Sequence, residues 1–159
     1  MIQELISTPT ILIDADACPV KDETYKVAER YGFPVKVVAN AFMRVPRENF
    51  IELVVVSDKF DAADDWIAER ANASCIVITA DILLAERCVK NGSTVLAPNG
   101  KPFTENSIGG QVATRAIMSD LRAGAVGQNV GGPPPFSKAD RSRFLQALDL
   151  AATQLKRTA

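Results

Sequence analysis

The sequence predicts a three-layer α/β fold: a mainly parallel sheet flanked by helices, with a C-terminal helical extension. Three observations predict it. Over the first 100 residues, short apolar runs alternate with segments whose apolar residues have helical spacing. The short runs are apolar almost without interruption, as is typical of parallel strands that helices cover on both faces. The chain has 159 residues, which is enough to bury one sizeable core.

The body, residues 1–100, contains five predicted strands that alternate with helices. The strands are T-I-L-I-D (10–14), P-V-K-V-V-A (34–39), L-V-V-V-S (53–57), C-I-V-I-T (75–79) and T-V-L-A (94–97). The helices cover 20–31, 61–71 and 81–91. Gly32 and Gly92 follow the first and third helices and are good helix stops.

Residues 101–159 are predicted to form a helical extension of the same domain. A helix over 106–123 precedes a loop at 124–136 that is rich in glycine and proline. The last helix begins with S-K-A-D, which resembles a capping box, and has an apolar stripe. The stripe residues are Phe144, Leu148, Ala151, Ala152 and Leu155. We therefore expect one domain over 1–159; the alternative is that the loop links the body to a mobile arm.

Composition excludes several classes of function. Histidine is absent, which removes Ser-His-Asp and Cys-His catalysis and histidine-ligated zinc. The three cysteines, Cys18, Cys75 and Cys88, share no C-x-x-C spacing and suit reduced thiols in a cytoplasm. No apolar run is long enough to span a bilayer, and the N-terminus lacks the pattern of a secretory signal. We expect a cytoplasmic protein without a membrane partner.

Charge is distributed unevenly along the chain. Residues 1–100 hold 10 basic and 15 acidic side chains, a balance of −5, whereas residues 101–159 hold 8 and 4, a balance of +4. An acidic body with a basic tail region suits a metal site beside a phosphate-binding surface. Chance variation over solvated faces explains the same asymmetry.

Acids follow three of the predicted strands. Asp14 and Asp16 follow the first, Asp58 and Asp61 the third, and Asp81 the fourth. Ligands of open parallel sheets bind outside the carboxyl ends of the strands, so these acids converge if the strand order brings their strands together. Each acid alone is explained by helix capping. Together they would repel one another, and a hard divalent cation such as Mg²⁺ or Mn²⁺ would remove that repulsion.

The second helix adds three acids to one of its faces. Asp61, Asp64 and Asp65 are spaced i, i+3, i+4, near the predicted N-terminus of that helix. Asp64 is expected to be a solvated or helix-stabilising acid. A metal held by an acidic cluster suits phosphodiester hydrolysis.

A nuclease of this kind would take phosphate contacts from a local basic surface. The candidates lie in the C-terminal part of the chain, where Gly109 and Gly110 would also let backbone amides approach an anion. The candidate nucleic-acid-binding side chains are Ser107, Arg115, Arg122, Lys138, Arg141 and Arg143. Ordinary solvated helix faces account for the basic residues equally well.

Four motifs together resemble a known family. They are I-L-I-D-A-D-A-C-P-V, S-D-K-F-D-A-A-D-D-W-I, V-I-T-A-D-I-L-L-A and G-G-P-P-P-F-S-K-A-D-R-S-R-F. They resemble the uncharacterised bacterial YaiI/YqxD family over nearly the whole chain. That family is similar to PIN-like domains, the fold of many metal-dependent nucleases.

The resemblance implies a site and a reaction. The implied metal and catalytic acids are Asp14, Asp61, Asp65 and Asp81, with Asp16 and Asp58 as their neighbours. The implied cofactor is Mg²⁺ or Mn²⁺, and the implied substrate is nucleic acid, with RNA favoured over DNA.

Other chemistries remain open. Asp14-Ala15-Asp16 after an apolar strand mimics the nucleophile and acid/base pair of haloacid-dehalogenase-type phosphatases, although the later motifs come in the wrong order. Cys18 near a helix N-terminus is a weaker candidate nucleophile, because acids surround it and no histidine activates it. The non-enzymatic alternative is an RNA- or protein-binding module on the same fold.

Overall fold

Six strands form one sheet in the computed structural model, which describes residues 8–16, 18–59, 61–109 and 136–158. The strands are β1 (Thr10–Asp14), β2 (Val35–Ala39), β3 (Ile51–Val55), β4 (Cys75–Ile78), β5 (Thr94–Leu96) and β6 (Pro102–Phe103). Their order across the sheet is β3-β2-β1-β4-β5-β6. All neighbouring pairs are parallel except β5 and β6, which are antiparallel.

Helices cover both faces of this sheet. They are α1 (Lys21–Tyr31), α2 (Ala62–Arg70), α3 (Ile82–Lys90) and α4 (Lys138–Thr158). Successive side chains of a strand point to opposite faces, so β1 contributes Ile11 and Ile13 to the core beneath α1 and α4. Leu12 of the same strand packs in the core beneath α2 and α3. The predicted three-layer α/β architecture with a C-terminal helix is confirmed. None of the helices in the described part of the chain is long and apolar enough to span a bilayer.

The last helix is held by the residues that the sequence singles out. Ser137 and Asp140 form a reciprocal cap, in which the backbone N–H of each donates to the side chain of the other. The predicted stripe packs in the core; all its members are buried except Leu155, which is partly buried. A Cβ at Gly100 would be only 2.7 Å from the carbonyl of Arg143, so the glycine lies directly against the backbone of α4.

Two details of the sheet differ from the expectation. β3 covers 51–55 rather than 53–57, because its parallel register places Ile51 beside Val35 at the start of β2. β6 was not predicted; it is a two-residue edge strand that contains Pro102, which has no N–H to donate. The predicted helix over 106–123 and the loop at 124–136 lie outside the described residues, apart from 106–109, which are helical, and Phe136. A single domain over 1–159 stays a prediction.

The strand order creates a switch point between β1 and β4. The chain leaves β1 through α1 and adds β2 and β3 on one side of it. It then returns through α2, which packs over β1 and β2, and adds β4 on the other side. A crevice at the carboxyl ends of such strands is where open α/β sheets bind ligands. The crossover from β3 to β4 also brings the first turn of α2 close to this crevice, although β3 itself is not adjacent to β1.

Candidate functional site

Asp14 ends β1 at the switch point and is held by a neighbouring strand. The carboxyl group is buried, with 8% of the residue exposed. The hydroxyl of Thr79, just after β4, donates to Asp14 Oδ2 at 2.8 Å. The backbone N–H of Asp81 donates in turn to Thr79 Oγ1 at 3.0 Å. This chain of hydrogen bonds fixes the end of β1 against the end of β4.

Asp81 both caps α3 and contributes charge to the site. Its Oδ1 accepts the backbone N–H groups of Leu83 and Leu84, at 2.8 and 3.3 Å. The capping interpretation from the sequence is therefore correct for this residue. Both cap bonds go to one oxygen, so the second oxygen of the carboxylate is not used by the cap.

Two adjacent acids in the first turn of α2 lie in different environments. Asp65 is exposed and accepts a hydrogen bond from Arg87 at 2.8 Å. Asp64 is partly buried, and its pKa is raised to about 6. Burial is the largest cause, and the negative charges of Asp81, Asp14 and Asp61 add to it, while Arg87 opposes them. Asp64 is thus an acid of this turn that interacts with the carboxylates of Asp81 and Asp14.

We call Asp14, Asp64 and Asp81 the edge carboxylates. The pKa of Asp14 is also raised, chiefly by burial. Hydrogen bonds from Thr79 and from the Asp16 backbone oppose this rise, and the charges of Asp16 and Asp81 reinforce it. Burial and the nearby negative charges therefore disfavour the ionised forms of Asp14 and Asp64, which is an energetic cost to the folded protein at neutral pH.

The other predicted acids lie around this cluster. Asp16 is exposed in the turn directly after β1, and Asp58 is exposed in the bend after β3. Asp61 is exposed at the start of α2 and makes no side-chain cap bond to the described backbone of that helix.

The predicted phosphate-binding residues are distributed differently. Arg141 donates to the Pro19 carbonyl at 2.6 Å and to Glu23 at 3.3 Å, and Arg143 pairs with Asp140 at 2.6 Å. Ser107 caps a turn, and its hydroxyl accepts the N–H of Thr104.

Two of the remaining predicted phosphate-binding positions lie in the described part of the chain. Lys138 is exposed at the start of α4, and Gly109 is exposed. Arg115, Arg122 and Gly110 lie outside the described residues.

Two residues of the site were missed or misjudged from the sequence. The sequence predicts Thr79 only as the end of a strand. In a parallel sheet, its position directly beside the aspartate that ends the first strand would have indicated its role. Asp64, predicted to be a solvated or helix-stabilising acid, is partly buried, and the rotation of α2 about its axis separates it from the exposed Asp65.

Cys18 is not activated. It is buried, and burial raises the pKa of its thiol. The thiol is therefore less ionised than a free cysteine at neutral pH, which supports a structural role.

A divalent cation fits the chemistry of the edge carboxylates. They offer only oxygen ligands, the type preferred by Mg²⁺ and Mn²⁺, and their mutual repulsion is what a cation removes. Among the residues that the structure describes, no three His, Cys, Asp or Glu side chains form a group that could hold a metal ion. Binding would require the carboxylates to move together.

Comparison with known proteins identifies relatives of this chain. The model of the family described as "Uncharacterized BCR, YaiI/YqxD family" matches residues 12–154. A UPF0178 protein of Sphingopyxis alaskensis is 69% identical over 152 residues, covering 96% of this chain and 98% of its own. UPF0178 proteins of Rhodopseudomonas palustris (56% over 153 residues, 96% and 97% covered) and Nitrobacter winogradskyi (58% over 147 residues, 92% of each) are similar over the same span.

No solved structure gives a significant match to the chain. The family match covers most of the chain and includes residues 12–14 of β1 and all of β4, with Asp14, Asp64 and Asp81. The chain belongs to the uncharacterised YaiI/YqxD family of bacterial proteins.

Proposed function

We propose that this protein is a divalent-metal-dependent nuclease that hydrolyses phosphodiester bonds at the edge carboxylates, with RNA as the favoured substrate. One observation carries the proposal: Asp14 and Asp64 lie near the switch point with pKa values raised chiefly by burial, and the negative charge of Asp81 adds to both shifts. Such a costly arrangement of like charges is typical of functional sites. The fold places it where open α/β sheets bind their ligands.

The proposed ligands of the cation are the edge carboxylates, with Asp61 close enough to contribute its charge. Asp65, which the resemblance implies as a ligand, is instead assigned to hold Arg87. When bound, Mg²⁺ or Mn²⁺ would supply charge stabilisation at the phosphoryl oxygens and an activated water.

The residues of the chain itself position the carboxylates. Thr79 keeps Oδ2 of Asp14 in a fixed place, and the N-terminus of α3 does the same for Oδ1 of Asp81. The buried position of Asp14 limits its contact with water, which strengthens its attraction for a cation.

The test is cleavage of labelled single-stranded and structured RNA and DNA by the purified chain, with Mn²⁺, Mg²⁺ or excess chelator. Asp14→Asn and Asp81→Asn should each lower the cleavage rate at least about 100-fold and weaken Mn²⁺ binding in calorimetry. Asparagine retains the acceptor for Thr79 and is a good N-cap, so both variants should fold. Glu69→Gln is the matched control, because Glu69 is an exposed acid at the opposite end of α2.

Absence of both cleavage and Mn²⁺ binding would contradict the proposal. Release of phosphate from small monoesters, with an acid-labile phosphoryl group on Asp14, would assign the chain to the phosphatase alternative. Salt-dependent binding of nucleic acid that Asp14→Asn leaves unchanged, without cleavage, would assign it to the binding-module alternative.

A further inference from the structure

The connection between β2 and β3 is unusual for a parallel pair. Parallel neighbours are normally joined by a crossover helix, but here residues 40–50 join them as an extended surface loop without a helix. Phe42 stands on this loop with 81% of its surface exposed, the largest exposure among the large hydrophobic residues that the structure describes. A single exposed phenylalanine is ordinary, so only its surroundings can indicate whether it belongs to a binding site.

Two adjoining hollows meet at Phe42. The larger, of about 640 Å³, is lined by Phe42 and Met43 together with Arg44 and Arg47. The smaller, of about 330 Å³, is lined by the same Phe42 and Met43 and extends to Asp16. Because they share two lining residues, the hollows adjoin, and we call the surface that they form together the Phe42 groove. It runs from the two arginines past the aromatic ring to the turn that follows Asp14.

The arginines of this groove differ from five others in the described part of the chain. Arg30, Arg70, Arg87, Arg141 and Arg143 each lie within 4 Å of a carboxylate. Arg44 and Arg47 are exposed and have no carboxylate partner within the described ranges. Their charges are thus available to an anion.

An exposed aromatic ring beside two cations is the combination that binds single-stranded nucleic acid. Unpaired bases stack on an aromatic face, and the basic side chains follow the phosphates. Paired bases are buried in a duplex and cannot use such a ring. We propose that the Phe42 groove binds single-stranded nucleic acid, with a base on Phe42 and phosphates on Arg44 and Arg47. The groove would lead the strand to the edge carboxylates.

This inference rests on the proposed function, which gives the strand a reason to reach the acids. Acidic peptides would meet the same two arginines, but they would also meet the negative charge of Asp16 and the edge carboxylates at the other end of the groove. Phosphates face the same repulsion when no metal is bound, but an acidic peptide offers no base to stack on Phe42.

The experiment is fluorescence anisotropy of labelled single-stranded oligonucleotides, ribo and deoxy, with the whole chain in excess chelator so that nothing is cleaved. Phe42→Ala should weaken binding about 10-fold without changing the salt dependence, and Phe42→Trp should retain it. The double variant Arg44→Ala/Arg47→Ala should weaken binding and lower the slope of log affinity against log salt by about 1.4. Leu150→Ala is the matched control, since Leu150 is an exposed apolar residue on α4.

Several outcomes would overturn the inference. Wild-type affinity in both Phe42→Ala and the double arginine variant would do so, as would stronger binding of a duplex than of a single strand. Self-association that Phe42→Ala abolishes, in a chain that binds no oligonucleotide, would assign the groove to a second copy. Equal affinity for ribo and deoxy strands supports shared chemistry, and a ribo preference supports RNA.

The two proposals fail separately. Chelator removes the metal from the binding assay, so a chain that neither cleaves nor binds Mn²⁺ can still bind a strand through Phe42. Conversely, the wild-type chain can cleave with Mn²⁺ while Phe42→Ala binds and cleaves normally. That result would support the nuclease proposal and contradict the role of the Phe42 groove.

Discussion

The edge carboxylates and the arginines of α4 are both charged groups, but the fold treats them in opposite ways. Asp14, Asp64 and Asp81 lie near like charges, and two of them have raised pKa values. Arg141 and Arg143 lie beside carboxylates that compensate them. The pair between Arg141 and Glu23 helps to fix α4 against α1, whereas uncompensated charge costs stability. Compensated charges thus stabilise the fold, whereas a cluster of uncompensated charges is typical of a functional site.

The contact between α4 and α1 shows how the compensated region works. Asp149 of α4 accepts hydrogen bonds from Arg30 and Tyr31 of α1, at 2.6 and 2.9 Å. Arg141 reaches the Pro19 carbonyl and Glu23 at the other end of the same contact. Exposed ion pairs contribute little each, so the buried stripe of α4 provides most of the binding energy between the layers.

The largest expected effect comes from disturbing the seat of α4 at Gly100. In Gly100→Ala a Cβ would lie 2.7 Å from the Arg143 carbonyl, at a φ of +88°. We expect a loss of about 3 kcal/mol or more in urea unfolding, from a left-handed alanine (about 1–2 kcal/mol) and an overpacked contact (about 1–3 kcal/mol). Gly92→Ala is the control, because its φ is +89° but its nearest contact is 3.8 Å. Equal losses of unfolding free energy in both variants would mean that α4 moves away from the added methyl group without an energetic cost.

A smaller effect is expected from Thr79→Val, which tests how firmly the edge carboxylates are held. Valine keeps the shape but removes the hydroxyl that donates to Asp14 Oδ2. A buried carboxylate that loses a donor costs about 1–3 kcal/mol of unfolding free energy. Thr79→Ser keeps the donor and should retain most of the stability. If serine and valine cost the same, packing rather than the hydrogen bond matters at this position.

Asp64→Asn tests the cost of uncompensated charge directly. The pKa of Asp64 is raised to about 6 from 3.8, so the folded state holds its proton more tightly than the unfolded state. Stability is therefore lost as pH rises from about 4 to about 6 and stays lost above it. Solvent screens this partly exposed group, so the variant should raise the melting temperature by only about 2–4 °C at pH 7.5, and by less at pH 4.

Two controls accompany that measurement. Asp65→Asn removes the partner of Arg87 and should give no such gain. Excess Mn²⁺ should reduce the difference between wild type and Asp64→Asn, because a bound cation compensates the charge. A melting temperature that falls in Asp64→Asn at pH 7.5 would contradict the assignment of Asp64 to an unfavourable environment.

The smallest effect is expected from Arg143→Ala. Its side chain is 61% exposed and pairs with Asp140 on the same helix, so the unfolding midpoint should not change measurably. Oligonucleotide affinity in the anisotropy assay should also be unchanged. A clear loss of affinity would restore the sequence-based hypothesis that α4 binds phosphate.

The sequence is informative where function depends on strand ends and uninformative where it depends on how elements face one another. Asp14 and Asp81 follow apolar runs directly, so parallel strand order is enough to bring them together. The choice between Asp64 and Asp65 depends on the rotation of α2 on the sheet, which its short apolar pattern does not determine. The partners of Arg141 lie 118 residues or more away in the chain, so no local pattern indicates that this arginine is already engaged.

The position of α4 at the end of the described chain has a consequence for biosynthesis. The described strands end at Phe103, but α4 covers its share of the core only when the residues up to 158 have been made. At about 5–20 residues per second, the 55 residues between these points take roughly 3–11 s. During that interval one apolar face of the nascent sheet lacks its last helix. It is therefore a natural contact for a chaperone at the ribosome.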